Sequence, residues 1–366
     1  MAIAHSLLID SRAERRESNI ELLRIVAMSM ILCYHFIFNG GPREVSGYFR
    51  LSDSLFIYGT NIFILISGWF SIRTTWRSLL HLYLYTLFII VVSISAYTLF
   101  TGTLPNSWHM IGNTVFAPLS GSTLWFIGVY YALMLVAPLI NRGVRGISIH
   151  NWRVLIIALS FLEFYGIYLF NNPVDKFGCT LYNFIYLYCL GRYLRLEPKI
   201  RQLSTWTLFL SFGVIFLLYL FLQYIFLSYD SGAHYDDFFH YASRRNAPTM
   251  IINSAILLLL FSRWHFHSKI INYIASASLG CYIIQDGFVR NFWYGMLRDI
   301  VNIDPTPIHW LLPWTLTAFG LYLFYWVASC LLTTVSRLFI PAMSARIEQA
   351  LPSWMKPERN YSAEEN

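Results

Sequence analysis

The chain has 366 residues, 57% of them hydrophobic and only 12% charged, with mean hydropathy +0.51 and a formal net charge of +7. A soluble domain carries about twice that charged fraction, which excludes a water-soluble globule, and the apolar content excludes disorder. An all-α, polytopic membrane protein remains, in which an excess of basic residues sets orientation in the bilayer and needs no nucleic-acid partner.

A membrane helix needs ~20 largely apolar residues. Runs of that kind predict ten spans, near 20–39, 53–72, 78–101, 123–140, 152–171, 177–195, 206–228, 248–263, 271–290 and 309–336. Between the fifth and sixth, Asn171-Asn172-Pro173 leaves a short turn. Most of the 26 Lys and Arg fall in the N-terminal tail, the even-numbered loops and the C-terminal tail. Cytoplasmic segments are enriched in these residues, so the expected topology is N-in and C-in. The domain reading is a cytoplasmic tail over 1–19, one membrane domain over 20–336 and a cytoplasmic tail over 337–366, interfacial near Ile347–Trp354. No cleavable signal is expected, since the first apolar run is too long and lacks a small-x-small cleavage site.

Cys33, Cys179, Cys189, Cys281 and Cys330 all fall inside predicted spans at irregular spacing, which reads as apolar packing rather than disulfides or a metal site. No CxxC, HExxH, Walker-type or GxGxxG pattern occurs, and no metal is expected. The loop His234-Tyr-Asp236-Asp237-Phe-Phe-His240 has metal-capable side chains without a metal template, and fits a solvated loop touching a ligand. Most of the 12 Trp and 25 Tyr belong in interfacial belts or between helices.

Ionisable groups inside spans are costly and mark functional positions. The first span contains Arg24 and His35, 11 residues apart. At ~100° per residue this is three turns plus ~20°, so both leave one helix face, ~16 Å apart along the axis. Each has a plainer reading: Arg24 snorkelling to headgroups with Glu21 as its partner, and His35 as an interhelical hydrogen-bonding group. Together they outline a polar track into the protein. Glu163, in the fifth span, is either functional or a neutral hydrogen-bonded group; Asn61 and Ser67 either line a cavity or bond between helices.

The Arg24-x10-His35 spacing resembles the first-helix signature of the integral-membrane acyltransferase-3 family, in its capsule and exopolysaccharide type. Asn61-Ile-Phe-Ile-Leu-Ile-Ser67-Gly68-Trp69-Phe70 is similar to that family's second-helix FxxSGF/Y segment. Trp125-Phe-Ile-Gly-Val-Tyr130, continuing to Pro138-Leu-Ile-Asn141, resembles its W-x4-Y-x7-P-x2-N run. Ser278-Leu-Gly280-Cys-Tyr282-Ile-Ile-Gln285-Asp286 resembles its late S-x-G-x-Y-L-I-H segment, with Gln285 where many members carry histidine. The loop Arg73-Thr-Thr-Trp-Arg77 departs from the Arg-x-x-Arg of some members, the next basic position being His81.

The resemblance implies a multi-pass enzyme of the bacterial inner (plasma) membrane that moves an acyl group, acetyl by family habit, from cytoplasmic acyl-CoA to a hydroxyl of a cell-envelope glycan. It implies catalytic roles for His35 and Arg24, acyl-CoA phosphate binding by Arg73 and Arg77, and substrate contacts at Trp125, Tyr130 and Gln285. A neutral imidazole suits a general base, since its unperturbed pKa is ~6.5. An acyl-histidine intermediate is the other route. The rival classes are a secondary transporter or flippase for a lipid-linked sugar, and a sensor or assembly scaffold. A transporter often shows broken helices paired between two halves, and no such pair stands out here.

Overall fold

The computed structural model describes residues 17–41, 55–104, 116, 119, 124–169, 176–229, 244–303 and 307–352. Among these the chain is a bundle of helices without a strand. In chain order they are α1 (Ser18–Gly40), α2 (Gly59–Phe70), α3 (Trp76–Thr101), α4 (Trp125–Gly143), α5 (Ile149–Phe161), α6 (Leu181–Leu196), α7 (Thr205–Tyr229), α8 (Pro248–Phe261), α9 (Lys269–Ser276), α10 (Ser278–Asp286), α11 (Arg290–Ile303), α12 (Pro307–Arg337) and α13 (Ile340–Ala350). A π-helical segment, Leu162–Leu169, continues α5, and one further turn, Pro198–Arg201, follows α6.

Five helices, α1, α3, α4, α7 and α12, are long and apolar enough to cross a membrane by length and composition; α2 and α8 are apolar but shorter. Each of the ten expected stretches holds helix, although length and composition carry five crossings rather than ten. The ninth stretch, read from sequence as one span over 271–290, is broken at Ala277 into α9 and α10. Ser329 Oγ donates to the Ala277 carbonyl at 2.5 Å, beside the Cys281 amide at 3.2 Å. The helix α11 was not expected, because Arg290, Asn291, Arg298 and Asp299 interrupt any apolar run there. Beyond α12, the tail forms α13, which packs along α3 with Ile340 fully buried.

The core is two apolar clusters with α1 between them. Ile20, Leu23 and Ala27 belong to one, with α2, α6 and α8; Met28, Leu32 and Phe36 belong to the other, with α3, α10, α11 and α12. The start of α1 is tied to α9 through Ser18 Oγ, which donates to Asn272 Oδ1 at 2.9 Å and accepts from the Ser268 amide at 2.9 Å. At its other end, Trp314 Nε1 donates to the Gly40 carbonyl at 2.9 Å.

Two local devices explain residues of the recognisable segments. Pro138 has no N–H to give the Met134 carbonyl one turn back, and Thr74 Oγ1 donates to that carbonyl at 2.6 Å instead. Asn141 Nδ2 donates to the Ile72 carbonyl at 3.0 Å, while Tyr188 OH donates to Asn141 Oδ1 at 2.8 Å and accepts from the Ile72 amide at 2.9 Å. The α2–α3 loop is thereby fastened to α4 and α6.

The largest helix–helix interface among the described elements joins α2 and α6. Gly68 lies against the Tyr188 carbonyl and Gly191 against the Leu65 carbonyl, so a Cβ on either would collide with backbone of the other helix. Rigid backbone cannot yield as a flexible side chain would. Gly68→Ala and Gly191→Ala are each expected to destabilise the protein by about 1–3 kcal/mol, read as a lower thermal midpoint in detergent or nanodiscs.

Just past α6, Glu197 is fully enclosed by donors. Arg153 reaches it with Nε at 2.6 Å and Nη2 at 2.9 Å, Tyr193 OH at 2.9 Å and the Lys199 amide at 3.2 Å. The Arg153 fork holds the Glu197 carboxyl down to about 2. An unfolded glutamate titrates near ~4.3, so this pairing is complete above that pH and is lost as pH falls through ~2. Glu197→Gln should flatten the acid limb of the stability curve between those values and leave its slope above about pH 5 unchanged.

Candidate active site

The face of α1 that carries Arg24 and His35 borders a cavity of about 400 Å³. Arg24, Met28, Ile31 and His35, spaced by four, three and four residues, form one wall of it. Opposite stand Phe63 and Ser67 from α2, Trp125 and Tyr130 from α4, and Tyr282 from α10. The mouth lies at the Arg24 end, where exposed His81 and Arg337 complete the lining. Arg24 donates to both oxygens of Glu21, at 3.2 and 3.3 Å, so its charge is oriented by the residue one turn earlier. Arg337 donates to Ser276 Oγ at 2.6 Å and lies over the Tyr273 ring.

His35 lies at the deep end and is 8% exposed, and its Nδ1 is buried without a hydrogen-bond partner. A second cavity, of about 340 Å³, begins on its other side. His35, Trp125 and Arg245 line both, so the two spaces meet at these three side chains. The second cavity opens away from the Arg24 end, past Phe38, Phe177 and Arg290, all exposed.

The site residues expected from sequence separate into three groups. Arg24, His35, Trp125 and Tyr130 are together on the cavity wall, with Ser67 Oγ 3.3 Å from Tyr130 OH. Arg73 and Arg77 are exposed and are not among the lining residues; His81, one turn beyond Arg77 and close to its charge, takes that place. Gln285 is fully buried and lines neither cavity. It accepts from Tyr294 OH at 3.1 Å and lies beside His35. Its neighbour Asp286 faces the second cavity and pairs with Arg290 at 3.5 Å.

Arg245, Arg290 and Arg337 were read from sequence only as loop or tail charges. The usable signal for Arg245 is its position directly before Asn246-Ala-Pro248, where a proline at the first turn starts α8. Asn61 and Glu163 explain its placement. Asn61 Nδ2 donates to the Arg245 carbonyl at 2.7 Å, and Asn246 Nδ2 donates to Glu163 Oε1 at 2.9 Å. Both buried polar groups therefore fix the turn that presents Arg245. The loop from His234 to His240 and the Asn171-Asn172-Pro173 turn lie outside the described residues.

Two cavities in one helical bundle that share an imidazole in their lining are a place where two ligands can meet. The family comparison agrees with that chemistry. The family profile described as an acyltransferase domain matches residues 17–335, and the chain belongs to this acyltransferase-3 family of membrane acyltransferases. No curated protein and no solved structure matches the chain significantly.

Water should reach the first cavity. Ser67→Cys is expected to react with a water-soluble maleimide, and Ser254→Cys, fully buried within α8 and lining neither cavity, to stay unlabelled. Mass spectrometry against the wild-type background checks this.

Proposed function

We propose that the protein is an O-acyltransferase that moves an acyl group, acetyl in the first instance, from cytoplasmic acyl-CoA to a hydroxyl of a cell-surface polysaccharide or its lipid-linked precursor. The observation that carries this reading is His35 lining both cavities at their meeting point. The Lys and Arg distribution supports a cytoplasmic Arg24 end. Arg24 and Arg337 at that mouth, with Arg73 and Arg77 outside it, suit the phosphates of acyl-CoA, because guanidinium forks pair with phosphate oxygens. The extended pantetheine arm then runs up the α1 wall, ~16 Å from Arg24 to His35, and brings the thioester to the imidazole.

The acceptor enters the second cavity from the outside. His35 takes the proton of the sugar hydroxyl as its oxygen attacks the thioester carbonyl. When the tetrahedral intermediate collapses, the C–S bond breaks and the coenzyme A thiolate leaves, recovering a proton from the imidazolium. The ester stays on the glycan and His35 returns to its neutral form. Gln285 orients the imidazole, and Trp125 and Tyr130 form the walls that hold the two reactants. The donor and acceptor never need to cross the membrane; only the acyl group does.

The test uses membranes containing the protein, labelled acetyl-CoA and surface glycan. Label is expected in ester linkage on the glycan, released by mild base. His35→Ala should lower the rate by about 10²–10⁴-fold, the usual worth of general acid–base catalysis, with the folded protein still inserted. Glycan movement without covalent change, or near-normal acylation by His35→Ala, would refute the reading.

A further inference from the structure

The second cavity has a chemistry that acyl transfer alone does not require. Its walls are aromatic, with Tyr34, Phe38, Trp125 and Phe177, and its charged lining is strongly basic. Arg244, Arg245 and Arg290 face one carboxylate, Asp286, and Arg290 is the residue that pairs with it. Arg245 is held over the ring of Trp125 at 5.1 Å and near that of Tyr34 at 6.0 Å. Its Nη1 donates to Cys179 Sγ at 3.3 Å, a weak acceptor, and its Nε is buried without a hydrogen-bond partner. No carboxylate lies within 4 Å of this guanidinium among the described residues.

A partly buried guanidinium between two cavities, with no carboxylate partner among the described residues, is placed to pair with an anion. Asn61 and Glu163, two buried polar side chains from separate elements, hold the turn that aims Arg245 between the cavities. Aromatic faces beside a cation fit a sugar ring that carries negative charge. The ring stacks on apolar faces, and the anion supplies the pairing that no described carboxylate makes.

We infer that the acceptor is anionic, with a carboxylate or phosphate on, or next to, the sugar that receives the acyl group, and that Arg245 binds that anion. This rests on the acyltransferase reading only in calling the ligand of the second cavity the acceptor. A guanidinium serving the thioester carbonyl instead would treat acidic and neutral acceptors alike.

The test is a binding measurement on the full-length protein in nanodiscs, without acyl-CoA, by ligand-observed NMR. Two matched pairs are compared: a glucuronate-terminated disaccharide against its carboxyl-reduced neutral counterpart, and a hexose 1-phosphate against the free hexose. The acidic member of at least one pair is expected to bind about tenfold or more tightly, with the advantage shrinking as salt screens it. The pair that discriminates tells a sugar carboxylate from a carrier phosphate. Arg245→Gln should bring the two members of that pair together, and Arg245→Lys should retain part of the difference. Equal affinities in both pairs, no binding at all, or a preference that survives Arg245→Gln overturns the inference. If Arg245→Gln does not fold, the wild-type comparison at low and high salt decides it. A charge preference without acyl transfer would sink the enzymatic reading while leaving this one standing.

Discussion

A charged side chain facing hydrocarbon is so costly that its position dictates what surrounds it. In this protein the constraint falls on α1. The helix has one flank on each of two apolar clusters, and the strip from Arg24 to His35 sets these two polar ends around Met28 and Ile31. It faces a cavity. Helices α2, α4 and α10 stand back from that strip, and their inward side chains, Ser67, Tyr130 and Tyr282, become the far wall. The cavity is thus a consequence of where the polar residues of one helix sit, and the rest of the bundle is arranged to keep it open.

Much of this was legible in the sequence because it is periodic. An offset of eleven positions from Arg24 to His35 fixes a shared helix face irrespective of tertiary structure. Hydropathy located α1, α3, α4, α7 and α12 well, since each is a long apolar run. Where periodicity fails, so does the reading. The break at Ala277 carries a hydrogen bond from Ser329, a partner 52 residues away, and nothing local announces it. The helix α11 is hidden by its own polar residues. Arg245 looked like an ordinary loop cation because its importance comes from Asn61 and from the meeting of two cavities, both long-range facts. Gln285 was placed in the right neighbourhood, beside His35, though a motif position says which residues are near and not which atom faces a space.

The polar residues also divide in a way that sequence alone leaves open. Asn61 and Glu163, each ambiguous between function and structure, prove to be braces for the Arg244–Ala247 turn. Asn141 is likewise a brace, joining the loop after α2 to Tyr188. Buried polar groups in such a bundle specify geometry by demanding partners. The site is held by these amides as much as by apolar packing.

The contact of bare backbone at Gly68 and Gly191 has a mechanical consequence. With the main chains of α2 and α6 touching, no compressible layer of side chains separates them there, and the pair forms a stiff plank along one side of the passage. Another part of the wall is jointed: α9 and α10 meet at Ala277, and α10 ends at Gly287. If the passage must widen to pass a bulky group, the give comes from the jointed part, and the plank stays fixed.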